Sequence, residues 1–266
     1  GTTNFASTVN AQSLTTNAGG TTQLNGNVTT IASQNYGDVV TIANNPILTG
    51  NNITFNNTVN GNSDLTLNGG SSDITFKNAI DLKDLKANST GITTFNQAVN
   101  AQNLTTDAGG TTKINRDVTT NGSQTYGDAV TIANNPILQG ENITFNSTVD
   151  GNSDLTLNAG SGKITVDGPI GQTTSLNNLT ANSKISLGGD VTTNGSQIYK
   201  DAVTIANDST LKGNGISFNK TVDSNGALTV SGGKISLGGD VTTNGSQTYK
   251  DAVTIANNPI LQGENI

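Results

Sequence analysis

The sequence predicts an all-β fold, a parallel β-helix or β-solenoid, and three observations carry that expectation. Apolar–threonine–apolar triplets recur throughout, among them Ile53-Thr54-Phe55, Leu65-Thr66-Leu67, Ile74-Thr75-Phe76, Ile143-Thr144-Phe145 and Ile164-Thr165-Val166. Gly, Asn, Asp and Ser fill the stretches between them. Whole phrases also return: Gly1–Ile80 aligns without a gap with Gly91–Ile170, 90 residues on, and Lys184–Gln197 returns unchanged as Lys234–Gln247, 50 residues on. Fixed periods of this kind mark repeat architectures.

Each triplet reads as a very short strand. Alternation at period two puts its two apolar residues on one face and its threonine on the other. Strands of a sandwich run about 5–6 residues, so triplets this short suit a coil that turns after every strand. Triplet-like starts at Ile53, Ile74, Ile92, Ile114 and Ile143 mark coils of unequal length, the last much the longest, and starts at Ile164, Ile185, Ile216 and Ile235 continue the series. The expectation is about eleven coils of roughly 18–31 residues, stacked as a rod on the order of 50 Å long at about 4.8 Å per coil. The longest coils, which hold SQTYGDAVTIANNPILQGEN, are either one coil with a loop or a coil and a half. The chain reads as one solenoid segment over residues 1–266, with long repeats at 1–90 and 91–180 and 50-residue repeats over about 184–266. It reads as a piece of a longer protein.

Inside such a coil, Ile, Leu, Val and Phe stack on their counterparts in adjacent coils, and outward Thr suits an exposed strand face. Gly and Asn at the corners supply left-handed backbone angles that other residues adopt poorly. Stacked Asn amides can also bond from coil to coil. The phrase NNPIL, at Asn44–Leu48, Asn134–Leu138 and Asn257–Leu261, reads as a corner followed by a strand entry, because proline lacks the donor a strand interior needs.

Composition narrows function. There is no His, Cys, Met or Trp, and charged residues make up only 12% of the chain. That removes most nucleophilic triads and most zinc and copper sites. A net charge of −7 argues against nucleic acid, which needs a basic stripe. No apolar run approaches the length a membrane span needs. Low hydrophobicity by itself suits disorder or an Asn-rich aggregating tract, but the regular apolar spacing favours a folded solenoid.

No motif for chemistry is complete. Gly162-Lys163 is followed by Ile164, where a phosphate loop needs Ser or Thr. Ser231-Gly232-Gly233-Lys234 matches the S-x-x-K of serine acylases without the partner motifs. Carboxylates beside tight turns, at Gly61–Asp64, Gly151–Asp154, Gly188–Asp190 and Gly238–Asp240, suit calcium less well than turn capping. Paired carboxylates for glycoside cleavage would need unlike surroundings, and copied turns do not provide them. Ice binding would need T-x-T ranks, whereas Thr here stands mainly singly between apolar residues. Tyr36, Tyr126, Tyr199 and Tyr249 all follow S-Q-x, and read as packing aromatics rather than an exposed binding row. No catalytic, cofactor-binding or metal-ligating residue is assigned; the chain reads as non-catalytic and without a cofactor.

The triplets ITF and LTL, the GG and NG corners, and strings such as LTTDAGGTT, DVTTNGSQTYGDAVTIAN and VDGNSDLTLNAGSGKI resemble the repeat regions of filamentous-haemagglutinin-like large bacterial exoproteins. The resemblance implies a right-handed parallel β-helix shaft, secreted or held at a bacterial cell surface. The family's secretion domain and its Asn-Pro-Asn-Leu-type motif are not in this sequence; NNPIL is not that motif. The implied role is a structural shaft of an adhesin-like exoprotein, extending or multiply presenting binding surfaces. Its partners would be neighbouring repeats or other copies end to end, and host or cell-surface glycans or proteins. The alternative is a self-assembling extracellular fibre, sheath or surface-layer component; a polysaccharide-active β-helix enzyme stands third.

Overall fold

A computed structural model describes residues 1–266. It is all-β and contains no helix, so no helix is long and apolar enough to cross a membrane. The chain divides into two compact units, Gly1–Thr131 and Ile132–Ile266. Each is a stack of parallel coils, seven in each, with three short strands to a coil.

In the N-terminal unit the strands form three faces. Face I carries Thr2–Phe5, Thr21–Leu24, Val39–Ile42, Val59–Asn60, Ile80–Asp81, Val99–Ala101 and Val118–Thr120, each parallel to the next. Face II begins at Val9–Ala11 and runs through residues 28–30, 47–49, 65–68, 84–88 and 103–106 to Ser123–Tyr126. Face III begins at Leu14–Thr16 and runs through residues 34–36 and 53–55 to Ile74–Phe76, Ile92–Phe95 and Thr111–Ile114. The register sets the length of a coil: Thr21 pairs with Val39, Val40 with Val59, and Val59 with Ile80.

The C-terminal unit has its own three faces. On face A, Leu155 aligns with Leu179, Gln197, Ile216, Ile235 and Val253. On face B, Ile143 aligns with Ile164, Ile185, Val203, Val222, Val241 and Leu261. On face C, Val149 aligns with Ile170, Val191, Leu211, Val230 and Tyr249. One coil here is longer than its neighbours, since Leu155 meets its next partner only at Leu179. Its extra segment does not project freely: Leu176 is fully buried, and the Thr173 and Thr174 amides donate to Asp150 Oδ1 at 2.9 and 3.0 Å.

Inward side chains form columns, as the triplets imply. Val40, Val59, Ile80, Val99 and Val118 make one on face I, all buried. On face III, Tyr36, Phe55, Phe76 and Phe95 stack with ring centroids 5.0, 4.9 and 5.5 Å apart and planes within 16°. Outward residues form ranks, such as Thr54, Thr75 and Thr94, one residue wide on each strand. The expected amide pairing is present between coils: Asn25 Nδ2 donates to Asn4 Oδ1 at 2.7 Å, Asn56 to Asn35 at 2.6 Å, and Asn88 to Asn68 at 2.8 Å.

Two expectations need correction. The count of about eleven coils, some much longer than the rest, came from treating apolar triplets as if they shared a face. In the first copy of the long phrase, Gln34 pairs with Ile53 on face III, and Val39–Ile42 and Ile47–Leu48 supply faces I and II between them. The stretch itself fills one coil with no loop, so the longer interval that holds it is more than one coil, nearer the second of the two expected alternatives, and the series has fourteen coils rather than eleven. Secondly, Ile92 is not the counterpart of Ile74; Thr93 is. In Ile92-Thr93-Thr94-Phe95 the two apolar ends are three residues apart and cannot point the same way. Phe95 joins the ring stack, so Thr93 turns inward, fully buried.

Corner glycines meet the expectation in part. Gly61 and Gly151 do take left-handed angles, φ 149° and 144°. Many others are required by the coil beneath: a Cβ on Gly37 would lie 2.6 Å from the Thr16 carbonyl oxygen. The left-handed corners of NNPIL belong to paired asparagines, as expected, with φ of 57° and 52° at Asn44 and Asn45 and 58° at both Asn134 and Asn135. Pro46 then opens the strand, and its carbonyl accepts the Thr66 amide of the next coil at 3.2 Å.

Candidate functional site

The most repeated polar constellation is the one the phrase VTT-x-x-SQ-x-Y builds. Thr30 Oγ1 donates to the Ala32 carbonyl at 2.7 Å, which closes the corner. Gln34 points inward and is fully buried. Its Nε2 donates to the Thr49 carbonyl of the following coil at 2.9 Å, with longer bonds to Val28 O and Thr30 Oγ1. Its Oε1 accepts the Tyr36 hydroxyl at 2.8 Å. A buried amide leaves costly orphans unless each group finds a partner, and here each does.

The other copies repeat these bonds. Tyr126 donates to Gln124 Oε1 at 2.9 Å and Tyr199 to Gln197 at 3.0 Å; Gln197 Nε2 reaches the Lys212 carbonyl at 2.8 Å. A glycine of the next coil covers the threonine, since a Cβ on Gly213 would sit 2.7 Å from Thr193 Oγ1. Tyr36, Tyr126 and Tyr199 are completely buried, and burial pushes their hydroxyls far above the usual tyrosine range. The tyrosines are packing residues, as expected, and they form no surface row.

Carboxylates in the copied turns are engaged within the protein. Asp190 Oδ1 accepts the Thr210 amide and Asp240 Oδ1 the Ile260 amide, each at 2.8 Å. Asp154 Oδ1 accepts Asn178 Nδ2 at 2.8 Å. Asp64 pairs with Lys83 Nζ at 3.2 Å. Asp38 and Asp128, which follow Tyr-Gly, are buried; Asp128 accepts the Gly110 amide at 2.7 Å and the Thr112 hydroxyl at 2.9 Å. Burial raises the Asp128 carboxyl above its ordinary range, against these two bonds that favour the charged form. Ser231 ends a strand on face C, and Lys234 precedes one on face A. The SQ-x-Y corners escaped assignment from sequence because their Gln and Thr look like surface residues until the following coil covers them.

The copies do not share a face. Residues 28–30 of the first copy lie on face II and their equivalents, 118–120, on face I; residues 34–36 lie on face III and 124–126 on face II. Likewise Thr2–Phe5 lies on face I and Ile92–Phe95 on face III. In the C-terminal unit, Ile185 is on face B and Ile235 on face A, while Tyr199 is on face A and Tyr249 on face C. Both the 90-residue and the 50-residue repeat therefore overshoot a whole number of coils by two-thirds. Each copy is displaced one face from the last.

The fold and these corners define a parallel β-solenoid whose repeated phrases are internal braces. Comparison with protein-family models, with curated proteins and with solved structures found no match to this chain.

Proposed function

We propose that this chain is a non-catalytic shaft segment of a secreted or cell-surface exoprotein, one that spaces or carries binding parts located elsewhere. The displacement of the repeats carries this reading. A protein that binds with one flat face keeps its repeated residues on that face. Here the phrase is copied with its Gln–Tyr brace, its asparagine corner and its caps, and each copy points in a new direction. What the repeats propagate is the stack itself, in keeping with solenoids whose stability is local to neighbouring coils. The resemblance to adhesin-like exoproteins and the acidic, cysteine-free composition support the same reading.

The test is a reporter-binding module displayed on a cell with and without this chain between module and anchor. A spacer extends the reach of the module, read by optical distance from the membrane, and leaves its affinity unchanged. Unchanged reach overturns the proposal. In electron micrographs the purified chain is expected as discrete particles. Filaments that lengthen with concentration would favour the assembling fibre instead.

A further inference from the structure

We infer that a notch on the N-terminal unit, at the corner between faces I and II, binds a neutral saccharide. The corner is unequal along the stack. From the inward residue of face I to that of face II the chain takes six residues at Val59–Leu65 and at Val118–Gln124, but five at Ile80–Leu85 and Val99–Leu104. Two short corners thus lie between two longer ones, and the gap is a cavity of about 280 Å³. Its floor is Leu82 and Ala101; its walls are Asn62, Asn100, Gln102, Thr119 and Asn121.

The side chains of these walls are unused. Some asparagines elsewhere in this unit pair from coil to coil, as Asn4 with Asn25, Asn35 with Asn56 and Asn96 with Asn115. The wall side chains make no hydrogen bond within the protein, while the backbone behind them is fixed. Leu82 N donates to Asn100 O at 3.1 Å, Asn121 N to Ala101 O at 3.1 Å, and Gly122 N to Gln102 O at 2.8 Å. Asn100 and Thr119 stand in register on adjacent strands. A rigid frame therefore presents several amides, each both donor and acceptor, at one place.

That chemistry fits a ring of hydroxyls, which also donate and accept, laid over a small apolar floor. A volume just below the usual range for drug-sized ligands suits a single ring, such as the end of a glycan. The charge selects against acidic sugars. Asp81 and Lys83 both line the notch, and Asp64 lies 3.2 Å from Lys83 Nζ, so two carboxylates stand against one ammonium there. A uronate would meet like charge.

This inference needs only the one corner and stands apart from the spacer reading. The experiment is titration of the full chain with short gluco-, manno- and galacto-oligosaccharides and with oligouronates, followed by NMR of the side-chain amides. The expected result is saturable shifts of Asn100 and Asn121 with a neutral series. Binding should weaken about tenfold in the Asn100→Ala/Asn121→Ala variant, as loss of two modest hydrogen bonds implies, with the melting temperature unchanged. No shifts with any neutral series, equal binding by the variant, or preference for the uronates overturns it. Each of those results leaves the test of reach untouched.

Discussion

The corner around Gln34 and the corner around Gln247 share the phrase VTT-x-x-SQ-x-Y and differ in cover. In both, the tyrosine donates to the glutamine, at 2.8 and 2.9 Å, and the glutamine reaches a carbonyl 15 residues on, Thr49 or Gln262. Tyr36 is sealed by Phe55, stacked on it at 5.0 Å. Tyr249 pairs with Val230 on one side, stays half-buried, and has its hydroxyl raised only to about 12. By contrast, the copies at Tyr36, Tyr126 and Tyr199 lie on three differently named faces and are equally buried. The face a phrase occupies is immaterial; the next coil is what completes its core.

That comparison can be broken most forcefully in the ring stack. Phe76 lies between Phe55 and Phe95, at 4.9 and 5.5 Å, and Phe76→Ala should cost about 3–5 kcal/mol in urea unfolding. Phe218 has Tyr199 on one side at 5.2 Å and Leu237 on the other, so Phe218→Ala should fall at the lower end of that range. Equal losses near about 1 kcal/mol at both sites, well under the usual cost of a deleted core ring, would mean the columns are not tightly packed.

The glutamine brace gives the next effect. Gln34→Leu leaves the Tyr36 hydroxyl and the Thr49 carbonyl without partners inside the stack, which should cost about 2–3 kcal/mol. Adding Tyr36→Phe should recover part of the loss, because it removes one of the orphans. Gln247→Leu should cost less, since water reaches Tyr249. A cost at position 247 equal to that at position 34 would contradict the role given to the covering coil.

The smallest effect is a pH dependence. Burial raises the Asp128 carboxyl, so the folded chain holds this proton more tightly than the unfolded chain does. The stability it contributes is full below the ordinary carboxylate range, near about 4, and is lost as pH rises through the folded value. Asp128→Asn keeps an acceptor for the Gly110 amide and cannot ionise. The variant's melting temperature relative to the parent should therefore climb from acidic to neutral pH. A difference that stays flat with pH would show that Asp128 carries no such burden.

Much of the fold was legible because the triplets announce themselves. In Ile53-Thr54-Phe55 or Leu65-Thr66-Leu67 the buried residues are apolar, and period two assigns them to one face. Other strands were hidden because their inward residues are polar. Thr22, Thr112 and Gln124 are all buried, yet each is a residue type that reads as surface. The coil count fell short for a different reason, since triplets on different faces were strung into one series. The face-to-face displacement of the repeats was also out of reach, since it depends on where every one of those polar strands falls. The notch depends on a difference of one residue between adjacent corners, which shows only once the coils are in register.

The central claim, that each copy of the phrase moves to a new face, can be traced directly, because the chain has no native cysteine. Face I holds Thr41, Asn60, Asp81, Asn100 and Thr119 in register on successive strands. Cysteine pairs placed at each adjacent couple stand at the separation a disulfide spans, so oxidation should close all four links. Traced back from Thr119 by mass spectrometry, the links should arrive at Thr41. With a further cysteine at Thr29, the counterpart of Thr119 in the earlier copy, a trace that arrives there instead of at Thr41 would contradict the account.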